Sequence, residues 1–253
     1  MTTKLKSGMT VHAGRMLLEE TKRFSNEGKA VGEYVKNSWQ YTDHDPTVEI
    51  FVDQENKSIH IKDDAHGMSM EDLTKKFFVL HKPNVHRIKG IKGRGLYGTG
   101  KAAALGIADV LRVTTSQNGL LNKFEIHRSD CEDEKSEKEV PIRWIHQNKK
   151  TTEKDGSTID IEGWLHKRPI NIENIKDFLK RKALPEKHAY HHIENGKKVR
   201  TILTLYVNAV KIEEEEVPYS RSEKIELNEE EKKYFGEFKG ILKVADRRLN
   251  SDE

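Results

Sequence analysis

Nine residues, Gly93-Arg94-Gly95-Leu96-Tyr97-Gly98-Thr99-Gly100-Lys101, hold four glycines and two cations and run straight into Ala102-Ala103-Ala104-Leu105. Glycine lets backbone amides approach an anion closely, and the alanine-rich run predicts a helix whose first amides point at that anion. The chemistry this suits is phosphate binding. Taken from Gly95, the spacing also fits the P-loop pattern G-x-x-x-x-G-K, but Ala102 stands where a hydroxyl should meet magnesium. A P-loop also hangs from a buried apolar strand, whereas residues 81–90 are a polar loop. The P-loop therefore ranks below a different glycine-rich phosphate site.

Two further groups of residues bear on that site. Val31, Tyr34, Val35 and Trp39 recur at the spacing of an amphipathic helix, with Glu33 and Asn37 four apart on another face. Alone, that polar pair reads as a solvated face. Val48, Ile50 and Val52 alternate, Asp53-Gln54-Glu55-Asn56-Lys57 supplies turn chemistry, and Ile59 and Ile61 alternate again, which predicts a β-hairpin. Period two puts Asp63 on the face of Ile59 and Ile61, while Asp64 points the other way. A carboxylate on an apolar face needs donors, because desolvating it unpaired costs several kcal/mol.

These residues, in this order, resemble the three ATP-binding boxes of the GHKL superfamily, which unites gyrase B subunits, heat-shock chaperones, histidine kinases and MutL. The boxes are Glu33 to Asn37, then Asp63-Asp64-Ala65-His66-Gly67-Met68, then Gly95-Leu96-Tyr97-Gly98-Thr99-Gly100. Gly156-Ser157-Thr158-Ile159 is similar to the Gly-Thr pair that the family places on a strand behind the adenine. Two positions depart from the pattern: Ala65 replaces the first glycine of the second box, and Ser157 replaces a threonine.

The resemblance implies an α+β fold, a two-layer α/β sandwich of the Bergerat ATP-binding type with a mixed sheet. It covers residues 28–212, ending with a late helix at 174–184 and a closing strand at 202–207, in the order of the chaperone and microrchidia branches. It implies ATP and Mg2+ as ligands and assigns roles. Glu33 would orient and deprotonate the attacking water, and Asn37 would bind magnesium. Asp63 would accept the adenine N6 hydrogen bond, with Gly67, Met68 and Ser157 around the base. Gly95, Gly98 and Gly100 would offer amides to the phosphates, with Tyr97 and Thr99 in the same loop and Arg94 and Lys101 as cationic contacts. Residues 80–94 would form a lid. Such modules commonly use ATP to gate dimerisation.

Composition narrows the setting. The 253 residues carry 45 Lys and Arg against 42 Asp and Glu, a net charge of +3, and hydrophobic residues make up 34%. That surface is polar, yet the apolar strands argue against disorder. The balance of charge says little, but residues 81–101 hold six Lys or Arg and no acid, a local field suited to polyphosphate. A single cysteine, Cys131, excludes a disulfide framework and a thiolate zinc site. With no signal peptide or membrane-length apolar run, a cytoplasmic setting fits.

A helical extension is expected over residues 1–27, with a helix at 15–26, and a linker and the start of a second domain over 213–253 in a longer protein. His188, His191 and His192 read as a surface loop. Three functional classes follow: a slow ATPase switch with a DNA or protein client, a soluble histidine-type kinase, and a P-loop phosphotransferase. The second lacks a phospho-acceptor helical hairpin upstream, and the third lacks its hydroxyl at Ala102.

Overall fold

The computed structural model describes residues 12–79, 100–133, 138–185, 190–194, 197–214, 219–226 and 239–245. The chain divides into two compact units, Met1–Glu213 and Glu214–Glu253.

In the first unit, α1 (Ala13–Thr21) starts at His12, whose ring accepts from the Arg15 amide at 3.3 Å. A 3₁₀ turn, Lys22–Phe24, follows it. α2 (Glu27–Gln40) is capped by Asn26, whose side chain accepts from the Lys29 amide at 2.9 Å. The predicted stripe of Val31, Tyr34, Val35 and Trp39 is buried. Each such side chain contributes about 1.5–3 kcal/mol on leaving water, so this face fixes how α2 lies on the core.

β1 (Thr47–Asp53) and β2 (Ser58–Asp63) form the expected antiparallel hairpin, with Val48 opposite Asp63. After the short α3 (Met70–Asp72) come β3 (Ala108–Gln117), β4 (Leu120–His127), β5 (Arg143–Lys150) and β6 (Gly156–Trp164). β7 (His191–Glu194) and β8 (Lys197–Arg200) make a separate hairpin, and β9 (Thr204–Val207) and β10 (Val210–Lys211) return to the main sheet. The eight-stranded sheet has the order β10-β9-β1-β2-β6-β3-β4-β5. Among the described residues only its β1–β9 pair is parallel. The architecture is therefore α+β with a mixed sheet.

Alternation along the strands makes the two layers. Val48, Ile50, Val52, Ile59, Ile61, Leu111, Val113, Ile159 and Ile161 join α1 and α2 in one core, while Glu49, Phe51 and Lys62 face out. Helix Ile172–Phe178, continued by a π-turn over Leu179–Ala183, covers the expected late helix. Its approach to α2 is close. The Gly28 amide donates to Asn174 Oδ1 at 3.1 Å, and a Cβ on Gly28 would lie 2.7 Å from Phe178 Cβ. At the other end of α2, the Trp39 indole stacks on Tyr190 at 4.6 Å and donates to the Thr201 carbonyl at 3.0 Å.

Two local expectations are corrected. The run after Lys101 is a 3₁₀ segment, Gly100–Gly106, and not an α-helix. The Tyr34 hydroxyl enters its turn, donating to the Lys101 carbonyl at 3.1 Å and accepting from the Ala104 amide at 3.0 Å, so a main-chain bond is replaced by a side chain. His191 and His192 lie on β7, not in a loop, and His192 Nδ1 is 3.1 Å from Thr201 Oγ1; His188 is outside the described residues.

In the second unit β11 (Tyr219–Glu226) pairs antiparallel with β12 (Lys239–Ala245). Among the described residues no helix is long and apolar enough to cross a membrane.

Candidate functional site

Asp63 ends β2 on the helix-covered face. Register places Ser157 of β6 opposite Asp63 on one side and opposite Thr115 of β3 on the other. Three neighbouring strands thus carry Asp63, Ser157 and Thr115 in a row. Asp63 Oδ1 accepts from the Ala65 amide at 3.0 Å and the Ser157 amide at 3.1 Å, and Oδ2 accepts from the Ser38 hydroxyl of α2 at 2.7 Å. A carboxylate oxygen has two lone pairs, so Oδ1 is filled while Oδ2 keeps one acceptor position. Burial pushes the Asp63 carboxyl above the usual carboxylate range despite the three donors, because desolvation outweighs them.

The turn that follows is built for close approach. Gly67 has φ +65, and a Cβ there would overlap the Ser116 carbonyl, so both conformation and space demand glycine. Ala65, by contrast, is not among the positive-φ residues, so alanine is accommodated there without backbone strain. Met68 packs against the core and its amide donates to Thr115 Oγ1 at 2.7 Å. Ser157 keeps a hydroxyl, 3.1 Å from Thr115 Oγ1. Thr115 was not foreseen, since nothing in a β-strand pattern distinguishes it from its neighbour Thr114.

Glu33 and Asn37 share one side of α2, both partly buried. Glu33 Oε1 lies 3.9 Å from Lys36 Nζ. A Cβ on Gly100 would sit 2.5 Å from Glu33 Oε2, so the last glycine of the third box packs against the Glu33 carboxylate. The first and third boxes are therefore in contact.

Lys101, an expected phosphate contact, is also tied to the chain itself. Its ammonium donates to the carbonyls of Lys76 at 2.8 Å and Val79 at 2.5 Å, and burial lowers its pKa to about 8. Arg94, Gly95, Tyr97, Gly98, Thr99 and the expected lid, 80–94, lie outside the described residues.

A pair of histidines also touches the second box. Asp43 Oδ1 is 3.0 Å from His44 Nδ1 and 3.1 Å from His66 Nε2. The His44 hydrogen bond holds the Asp43 carboxyl low, and the same bond raises His44. The Arg168 guanidinium grips the fully buried Glu27 through contacts of 2.7 and 2.8 Å. Burial pushes the Glu27 carboxyl up, but Arg168 and the Asn171 amide hold it below its ordinary value. This bridge fixes the start of α2, and so the phase of Glu33 and Asn37.

Among the described residues the arrangement offers a carboxylate with one acceptor position left by its donors, beside a turn packed tightly on β3, and a partly exposed carboxylate against Gly100. The chain is similar to the candidate type II restriction enzyme HgiDII of Herpetosiphon aurantiacus, with 34% identity over 102 residues, 39% of this chain and 16% of that protein. It spans only a minor part of that relative. The profile described as histidine kinase-, DNA gyrase B-, and HSP90-like ATPase matches residues 25–158, more than half of the 253 residues, and the chain belongs to that family.

Proposed function

We propose that the chain is a magnesium-dependent ATP-binding and slowly ATP-hydrolysing module, acting as a nucleotide-gated conformational or dimerisation switch in a larger protein. The observation that carries this reading is Asp63. Its partly buried carboxylate is held by three donors and, among the described residues, left with one acceptor position, which suits an adenine amino group.

The residues present fit the nucleotide. Asp63, Gly67, Met68 and Ser157 would hold the base. Gly95, Gly98 and Gly100, with Tyr97 and Thr99, would offer the phosphates a glycine-rich loop, and Arg94 would add charge. Asn37 would hold magnesium, which supplies charge neutralisation on the phosphates when bound. Glu33 would take the proton of the attacking water, a contribution typically of about 10²–10⁴ in rate. Lys101 spends two of its three N–H donors on the carbonyls of Lys76 and Val79 and would have the third for phosphate.

The client is proposed to be DNA-associated, supported by the relative whose name is that of a restriction enzyme. A cytoplasmic setting suits Cys131, a buried lone thiol whose pKa burial pushes up to about 11. The test is Glu33→Ala, assayed for both ATP binding and turnover. Binding should persist while turnover falls by about 100-fold or more; turnover at the wild-type rate would reject Glu33 as the base. Light scattering with a non-hydrolysable ATP analogue tests the dimerisation arm.

A further inference from the structure

Between the late helix and β9 the chain is strongly basic. Residues 180–200 hold seven Lys or Arg against two acids, although the whole chain carries a net charge of only +3. Part of that stretch is the hairpin of β7 and β8, which forms its own two-stranded ribbon separate from the eight-stranded sheet. A lone hairpin is marginal in water, and this one is held at its root. Tyr190 stacks on Trp39 of α2, the Thr201 amide donates to the Tyr190 carbonyl at 3.1 Å, and the Ile202 amide donates to Asp45 Oδ1 at 2.7 Å.

Register and period two give the ribbon two unlike faces. His192 lies opposite Val199, and both are half-buried. On the other face His191 lies opposite Arg200 and Ile193 opposite Lys198; all four are exposed, Ile193 by 65%. Glu194 shares the face of His192. Among the described residues the exposed face therefore carries two cations, an imidazole and an apolar side chain, but no carboxylate. The cations suit a polyanion, and an isoleucine can meet the methyl group of a thymine. The major groove of B-DNA admits a two-stranded ribbon, whereas that of an A-form RNA duplex is too narrow for side chains to read.

We propose that the exposed face of the β7–β8 ribbon is a docking surface for duplex DNA, with Lys198 and Arg200 on backbone phosphates and Ile193 on a base edge in the major groove. This rests on the DNA-associated reading above and names the surface that would carry it.

The experiment is fluorescence anisotropy of a short labelled DNA duplex titrated with the full chain over a salt series. The variants are Lys198→Gln/Arg200→Gln, Ile193→Ala and, as a charge-matched control, Lys149→Gln/Lys150→Gln. The control residues are exposed on β5, at the opposite edge of the main sheet from β9 and β10. Each phosphate contact adds about 0.9 to the log–log salt slope, so losing two should flatten it by about 1.8 and weaken binding about 60-fold at about 0.1 M salt. Ile193→Ala leaves every charge in place and should weaken binding about fivefold with the slope unchanged. The control should cost no more than about twofold, since at that salt charges are screened beyond about 10 Å. Calorimetry with Mg·ATP should match the wild type in every variant, which also reports that each is folded. Undiminished DNA affinity in Lys198→Gln/Arg200→Gln, or an equal loss in the β5 control, would overturn the ribbon as the surface. Equal affinity for an RNA duplex of the same sequence would overturn groove docking, and displacement of the DNA by polyglutamate as readily as by unlabelled duplex would assign the face to an acidic polypeptide instead. Failure of the wild-type chain to bind DNA would overturn the DNA-associated reading itself, while the ATP site is read separately by the calorimetry.

Discussion

Replacing Tyr34 with phenylalanine removes one oxygen that α2 inserts into the turn after the third box. That hydroxyl donates to the Lys101 carbonyl at 3.1 Å and accepts from the Ala104 amide at 3.0 Å. Tyr34 is 4% exposed and Ala104 is fully buried, so water cannot replace it. Each buried main-chain group left unpaired costs about 1–3 kcal/mol, which puts the loss for two near 4 kcal/mol. The carbonyl and amide are spaced to pair with each other as an ordinary 3₁₀ bond, however, recovering about half. The expected cost is therefore about 2 kcal/mol, with a tightened turn that shifts Gly100 against the Glu33 carboxylate. Urea denaturation should show the stability loss, amide exchange at Ala104 should quicken, and ATP affinity should fall. A stability change within about 0.5 kcal/mol, the range of an unremarkable surface substitution, with unchanged exchange at Ala104, would refute the inserted-hydroxyl account.

The other predictions concern the second box and the start of α2. Gly67→Ala should cost roughly 1–2 kcal/mol of stability for the left-handed φ alone, before any clash with the Ser116 carbonyl, whereas Ala65→Gly should cost well under that; urea denaturation of both would show the difference. Glu27→Gln should cost about 1–3 kcal/mol at neutral pH, since it breaks the buried end of the Arg168 bridge. The Glu27 carboxyl is held below its ordinary value, so its contribution is full above the unfolded value near about 4.3 and is lost as pH falls through the lower folded value. Chemical denaturation of the two proteins should show the gap closing over that acidic window and not at neutral pH. Asp63 has the opposite sign: burial raises it, so its ionised form carries a stability penalty above the raised folded value that disappears below the unfolded value near about 3.9. Because the protonated carboxyl loses its acceptor, ATP affinity should fall on acidification at a higher pH than an ordinary carboxylate would give, and Asp63→Asn should remove that acid limb.

The placement of some candidate residues was legible because period and spacing act locally. The alternation of Val48, Ile50, Val52, Ile59 and Ile61 puts Asp63 on the core face, and the stripe through Val31, Tyr34, Val35 and Trp39 leaves Glu33 and Asn37 on the partly exposed side of α2. What escaped depends on partners far away in the chain. Tyr34 reads as one more core aromatic until its hydroxyl meets Lys101 and Ala104, and the alanine run is a 3₁₀ segment although its composition favours an α-helix. Thr115 becomes distinct from Thr114 only once register sets it against Ser157. Glu27 and Arg168 are 141 positions apart, beyond any local pattern. Pro185 upstream makes the two histidines of β7 read as a loop, but pairing with β8 orders them as a strand.

The central claim is that Asp63 recognises adenine. Titration calorimetry of Mg·ATP and Mg·GTP into the wild-type chain and Asp63→Asn tests it most directly, since the substitution keeps the side-chain shape and removes the charged acceptor. A hydrogen bond to a charged group is worth about 1.5–3 kcal/mol, or roughly 10- to 150-fold in affinity. The wild type should bind ATP in preference to GTP, and the variant should lose ATP affinity by that factor together with the preference. Equal binding of ATP and GTP by the wild type, or undiminished ATP binding by Asp63→Asn, would contradict the account.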